Sequence, residues 1–194
     1  RGRYGALRVL EHHEREVSQG GSVGGWAERL LKAVREIFCP ESCYVLVRDA
    51  NEGSFLVMAG EGIPTAKRVF LSVASDGPLV SRAKSGEILL KELIEMEAMT
   101  ESRGIQREME FLDATAIVPI SYGDQVYALL CLGPKIGRDM YNDIDFAGLH
   151  GLAKSAELAL NALLSGALAN RNAAVWAHDL MHPLGPKGAF QALG

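Results

Sequence analysis

Two pairs of apolar runs, each pair joined across a short polar loop, constrain this chain more than any other feature. "CYVLVRD" at 43–49 and "SFLVMAG" at 54–60 flank "DANEG", and "TAIVPISY" at 115–122 and "QVYALLCLG" at 125–133 flank "GD". Val, Leu and aromatic residues favour strands, while Asn, Asp and Gly favour the turn between them, so each pair reads as an antiparallel hairpin. The second pair is apolar almost without interruption, which marks central strands.

Helical patterns surround the hairpins. From Val23 to Phe38, Trp26, Leu30, Ala33, Val34 and Ile37 or Phe38 fall on one stripe that should face the sheet, and Pro40 stops the helix. A short leading helix is expected within 3–18, set apart by the small residues "SQGGS". Between the hairpins, "KRVFLSV" at 67–73 is a third strand candidate. "DGPLVSRAKSG" at 76–86 reads as a short helix opened by Asp76, and "EILL" at 87–90 as an edge strand. Residues 91–112 have high helix propensity, many charges and a thin apolar stripe, so they read as a solvated lid divided at Gly104.

From Asn142 the pattern turns helical and stays so past Ala177. Alternating steps of three and four give a seam of Phe146, Leu149, Ala153, Ala156, Leu160, Leu163, Ala167, Asn170, Ala174, Ala177, Met181 and Leu184. Asn170 alone is polar. A single helix has no way to bury such a stripe beyond its own domain, so the seam predicts a homodimer, with Asn170 setting register between parallel copies.

The 194 residues allow one ordinary domain plus extra helices, and 48% apolar content belongs to a soluble, core-forming protein. The net charge of −4 comes from 24 acidic and 20 basic residues without a basic block, which argues against nucleic acid as partner. No apolar run reaches the roughly 18–20 residues of a membrane span, and no signal segment is present, so a cytoplasmic setting is expected. A start at Arg1 instead of methionine and a stop at Gly194, shortly after "HDLMHPLG", imply a piece of something longer, whose parent could carry a membrane anchor upstream. Three cysteines, Cys39, Cys43 and Cys131, read as reduced thiols, with Cys131 in the core.

This α+β order of helix, two hairpins framing a variable helical segment, and exit helix resembles a GAF domain over about residues 22–165. The local match is "ALLCLGPKIGRDMYNDIDFAGLHGLAKSAELALNAL" at 128–163, which looks like the last strand, "GxK" turn and exit helix of GAF domains in bacterial sensor kinases. Residues 1–21 would then be a leading linker, and 166–194 the start of a dimerisation and phosphoacceptor helix. The resemblance implies a small-molecule or protein signal and does not name it. Some GAF domains attach bilins or bind haem, but no neighbouring signature supports either, and the residues linked to cyclic nucleotides are not recognisable.

"HDLMHPLG" resembles the phosphoacceptor box of histidine kinases, His-Glu/Asp-x-x-Thr/Asn-Pro-Leu, with His178, Asp179, Pro183 and Leu184 on matching positions. The seam places His178 at a position flanking the two-chain core, open to a docking partner. Neutral imidazole is a competent nucleophile near pH 7, and the carboxylate of Asp179 can accept or orient the other ring proton. Pro183 deletes a backbone donor and gives the helix a place to bend. The resemblance implies ATP and Mg in the parent kinase, held by its ATP-binding domain, and a response regulator as recipient. No ATP box or Mg-binding asparagine lies in these residues, so this stretch is not expected to phosphorylate itself and needs no cofactor of its own. His182 stands where the family commonly has Thr or Asn, which leaves phosphatase activity open.

Blander readings stand beside these. His178 and Asp179 also suit a solvated helix face. His178 and His182, four apart, are too few for zinc without further ligands at suitable spacing. Cys39 and Cys43 lack a second pair, and His12, His13 and His150 read as surface. Met96, Met99 and Met109 line an adaptable pocket or simply pack a lid. The competing function is a ligand-free dimerisation module whose last helix is only a linker.

Overall fold

The computed structural model describes residues 21–49, 51–97, 100–137 and 140–181, the final helix beyond residue 167 in its backbone alone. The leading helix expected within 3–18, with His12 and His13, lies outside the described residues. Helix α1 (Val23–Phe38) is opened by Ser22, whose hydroxyl accepts from the Gly25 amide at 3.1 Å. It ends at Cys39 in the left-handed conformation, φ 49°, directly before Pro40. Trp26, Ala27, Leu30, Leu31, Ala33, Val34 and Phe38 form its buried face, as the stripe predicts.

Strands β1 (Cys43–Asp49), β2 (Ser54–Glu61), β3 (Ser72–Ala74), β4 (Leu89–Leu90), β5 (Ala116–Tyr122) and β6 (Gln125–Leu132) make one antiparallel sheet in the order β3-β2-β1-β6-β5-β4. Alternation divides the side chains between two cores. Cys43, Val45, Val47, Ala116, Val118, Ile120, Ala128, Leu130 and Leu132 face α1 and the exit helix. Tyr44, Leu46, Ile117, Leu129 and Cys131 face the variable segment. Both faces are covered, hence the unbroken apolar runs. Pro119 is tolerated because it pairs with Leu129 on β6, whereas β4 flanks β5 only at Ala116 and Ile117.

The variable segment departs from its sequence reading in four places. Residues 67–73 are not one strand: α2 (Thr65–Arg68) turns first, with Lys67 and Arg68 amides bonding back to the Pro64 carbonyl, and pairing with β2 begins at Ser72. Helix α3 (Pro78–Ala83) is capped by Gly77 and not by Asp76. Pro78 at the first turn has no amide to satisfy, and the next free amide, on Leu79, donates to Glu108 Oε2 at 2.8 Å. The stretch 91–112 breaks near Glu97 into α4 (Lys91–Met96) and α5 (Thr100–Leu112), and Gly104 lies inside α5. A Cβ at Gly104 would come within 2.9 Å of Pro78 Cγ, so this glycine lets α3 and α5 touch. Nor is the segment a solvated lid. Ile94, Ile105, Met109 and Leu112 are buried, the last three at helical spacing, and the charges occupy the outer side.

Helix α6 (Asp143–Met181) runs 39 residues. Leu149, Ala153, Ala156 and Leu160 of the expected two-chain seam are buried within this domain's own core, together with Leu152. The first half of the seam therefore belongs to the fold itself. Leu163 is half-buried and Ala167 exposed. The side chains of Asn170, Ala174, Ala177 and Met181, and all of Leu184, lie outside the described residues.

One buried polar contact joins the two helices of this layer: the Trp26 indole N–H donates to the Ala156 carbonyl at 3.1 Å. Trp26→Phe removes the donor and some packing volume, and is expected to lower unfolding free energy by about 1–3 kcal/mol. Denaturant unfolding followed by circular dichroism measures it, and an unchanged midpoint would show that the contact contributes nothing.

Candidate functional site

The exit of the domain is fixed by a compact set of polar contacts. Asn142 Oδ1 accepts from the Ile144 and Asp145 amides at 3.0 and 3.1 Å, while Asp145 Oδ2 accepts from the Asn142 amide at 2.9 Å. This reciprocal arrangement caps α6. Lys135, from the "GPK" turn, bonds Asp145 Oδ2 at 3.0 Å and lies 5.7 Å from the Tyr141 ring centroid, while the Tyr141 hydroxyl donates to the Gly133 carbonyl at 2.8 Å. The turn is in turn tied to the end of α1, since the Ile136 amide donates to the Cys39 carbonyl and the Glu41 amide to the Pro134 carbonyl. Farther along α6, Glu157 Oε1 accepts from the Ser121 amide at 3.1 Å, at the irregularity in β5. The helix is thus fixed at its start by the turn after β6, at Ala156 by α1 and at Glu157 by β5.

His178 and Asp179 fall in the last turns of α6, where side chains lie outside the described residues; His182, Pro183 and Leu184 lie outside them altogether. The helix itself continues unbroken from the buried Leu160 to His178. That interval of 18 residues corresponds to about 27 Å of helix.

The opposite face of the sheet carries a second feature. Tyr44 is fully buried and its hydroxyl donates to the Leu112 carbonyl, one of the free carbonyls ending α5. Asp113 follows in the left-handed conformation, φ 55°, which Asp tolerates better than most residues. A cleft of about 40 Å³ opens here, lined by Ser42, Tyr44, Gly62, Ile63, Pro64, Lys67, Leu71, Leu112 and Asp113. Gly62 has φ +73°, and a Cβ there would meet the Glu41 carbonyl oxygen at 2.2 Å, so only glycine permits this corner. Lys67 Nζ stands 3.4 Å from Asp113 Oδ2. Beyond the cleft the face is filled by side chains such as Leu79, Ile105 and Met109. A polar network locks the helices covering it: Arg82 bonds Glu97 Oε1 at 2.8 Å, Ser102 Oγ donates to Glu97 Oε2 at 2.7 Å, and Glu108 holds α3.

Burial governs the titrating groups here. It makes the Tyr44 hydroxyl and the Cys131 thiol far weaker acids than usual, their pKa values raised in both cases, and raises the pKa of the Glu108 carboxyl, which the Leu79 amide partly counters. The Cys43 thiol is pushed up to about 11 by burial, against the opposing Arg35 charge. Cys131 is core, as its strand position predicts, and Cys39 is exposed. Of the three methionines, Met109 packs the lid at 0% exposure, Met96 points outward at 81%, and Met99 lies outside the described residues. His150 is exposed. No group of three or more His, Cys, Asp or Glu suited to a metal occurs among the described residues. Sequence reasoning missed Tyr44, Lys67, Arg68 and Asp113. Their signal was the glycine and proline corner of "EGIPTAKR" and a lone aspartate ending a helix.

No family profile matches the chain, and no curated protein matches it by sequence. Solved structures do match by shape. The GAF domain of an Acinetobacter phosphoenolpyruvate-protein phosphotransferase has a TM-score of 0.59 at 18% identity, over 79% of this chain and 90% of that one. A phycoerythrobilin-bound GAF domain from a cyanobacterial phytochrome scores 0.61 at 12% identity, over 81% and 95%. A domain from a protein assigned as a two-component sensor histidine kinase in Sinorhizobium meliloti 1021 scores 0.55 at 11% identity, over 77% and 98%. The fold is that of a GAF domain. Among the described residues no helix is long and apolar enough to cross a membrane.

The thiols offer a direct check of the site's packing. Because the thiolate is the nucleophile and burial opposes it at Cys43 and Cys131, a neutral alkylating agent at pH 8 is expected to label Cys39 alone in the native chain. All three should label after denaturation. Mass spectrometry reads the sites, and rapid native labelling of Cys131 would contradict the closed sheet face.

Proposed function

We propose that this chain is the sensory and dimerisation region of a bacterial two-component histidine kinase, with His178 as phosphoacceptor. The observation that carries this reading is the unbroken α6, which begins in a capped joint on a GAF-fold domain and continues to the "HDLMHPLG" motif. The helix is already exposed at Ser165, Gly166 and Ala167, and pairing two copies would cover the later seam positions. A signal at the sensory domain would bias two arrangements of the paired helices and so change access of the parent's ATP-binding domain to His178.

In the chemical step a neutral imidazole nitrogen attacks the γ-phosphorus of ATP, the P–O bond to ADP breaks, and Mg bound with the nucleotide offsets the charge. Asp179 accepts or orients the ring's other N–H as the imidazolium develops. The phosphoryl group then passes from nitrogen to a carboxylate oxygen of a response regulator, restoring the imidazole. His182 before Pro183 lacks the small polar side chain commonly found there, so weak phosphatase activity is expected. The whole cycle is assigned to a cytoplasmic compartment where ATP is available.

A second reading has an observation in its favour. The sheet face under α3, α4 and α5 is filled, which suits a ligand-free dimerisation or interaction module with α6 as linker.

Transfer of labelled phosphate from ATP in the full natural protein separates the two. Wild type should acquire acid-labile label and His178→Gln should lose it, by at least a hundredfold, since the substitution removes the attacking nitrogen. Equal labelling of wild type and variant would contradict the assignment of His178; no labelling of either with an intact ATP-binding domain would favour the linker reading.

A further inference from the structure

We infer that a second copy of this chain packs in parallel, related by a two-fold axis, on the outward face of α6, so that the contact between copies begins inside the domain. This deepens the pairing proposed above, and rests on it, by naming the face that pairs.

The inward face of α6 is already occupied, since Leu149, Ala153, Ala156 and Leu160 pack into the domain's own core. Leu158 stands two residues before Leu160, about 200° round the helix, and is 67% exposed. Helical steps from Leu158 give Ile144, Ala147, Gly151, Ala162 and Ser165, all of them exposed, Ile144 at 73%. None of the six is charged, although 23% of the chain is. An exposed helix face is ordinarily rich in charge, and α1, the other helix of this layer, follows the rule with Glu28, Lys32, Arg35 and Glu36 on its outer side. Lys154, at one edge of the stripe, is drawn aside by Glu157, whose Oε2 accepts from its ammonium at 2.7 Å.

Two glycines of α6 differ in what they serve. Gly148 makes room for Phe38, two of whose ring carbons would lie 3.1 and 3.2 Å from a Cβ there. Gly151 makes room for nothing in its own domain, because a Cβ there would open into free space. Glycine inside a helix is destabilising relative to alanine, and a neighbouring helix that crosses the stripe closely is the contact it would serve.

Symmetry selects the occupant. In a two-fold pair each copy presents the same patch to the other, and the domain carried by each α6 must lie on the side away from the axis. The seam points into the domain as far as Leu160, so over 144–165, about 33 Å of helix, only the opposite stripe is free to reach the axis. Ile144 and Leu158 then leave water as the anchors of the contact. In the sequence the stripe continues past the domain at the same spacing through Ala169, Ala173, Trp176 and Leu180, again without a charge.

Sedimentation and single-cysteine cross-linking of the 194-residue chain test this, with the exposed Cys39 replaced by Ser. Mild oxidation should link Leu158→Cys and Ser165→Cys into dimers at least tenfold faster than His150→Cys, an exposed position about 80° from Leu158 around the same helix. Leu158→Glu should raise the dimer dissociation constant at least tenfold, because two like charges then face each other across the axis. Its circular dichroism should stay that of the folded chain, since the side chain is largely exposed. A dimer whose folded Leu158→Glu variant associates unchanged, or whose cysteines at 158 and 165 link no faster than at 150, would overturn this face and leave the homodimer itself standing. Linking at 158 without linking at 165 would overturn the parallel arrangement. A monomer at every concentration would remove both the face and the pairing on which it rests.

Discussion

Pairing of β1 with β6 is the contact on which the rest of the structure depends. Residues Cys43–Val47 run antiparallel to Ala128–Leu132, joining the two hairpins through partners that are more than eighty positions apart in sequence. Each hairpin alone would leave an apolar face in water. Joined, they make a sheet wide enough to separate two cores, one under α1 and α6 and one under the variable segment. Loop closure over that distance has an entropic cost, and the nearly complete burial of both strands offsets it.

The same pairing places the cleft and the helical layer on opposite faces of one sheet. Tyr44 and Cys131 face the cleft side, while their neighbours Val45 and Leu130 face the helical layer. A change at Tyr44 would therefore bear on a strand whose alternate residues support α6. The helix is held to α1 by Trp26 at Ala156 and to the sheet by Glu157 at Ser121, and its first turn is held by Asn142, Asp145 and Lys135. A rod attached at both places moves with the sheet rather than independently of it.

Much of this was legible in the chain. The helix Val23–Phe38, both hairpins and the exit helix followed from periodicity and turn chemistry, because each element's pattern agrees with its burial. The "GPK" turn, noticed as a likeness, proved to be a physical device: its lysine caps α6 through Asp145. The variable segment was less legible. Val69 and Phe70 look like strand residues, yet they are 80% and 75% exposed, because Pro64 starts a helical turn that carries them outward. The apolar stripe Ile105, Met109 and Leu112 was hidden among charges, and the first helix ends at Met96, not at the more conspicuous Gly104. The seam on α6 could not be divided between intramolecular and two-chain burial from its period, since both use the same spacing. The cleft residues come from three separate segments, which only the β1–β6 closure brings together.

Amide hydrogen exchange along α6, measured at low and high protein concentration, tests the central claim that one helix serves first as domain core and then as a pairing surface. Amides from Leu149 to Leu160 should be strongly protected at every concentration. Those from Leu163 to Met181 should gain protection as concentration rises. Uniformly rapid, concentration-independent exchange beyond Leu163 would contradict the pairing of this helix and leave the GAF-fold domain without the proposed output.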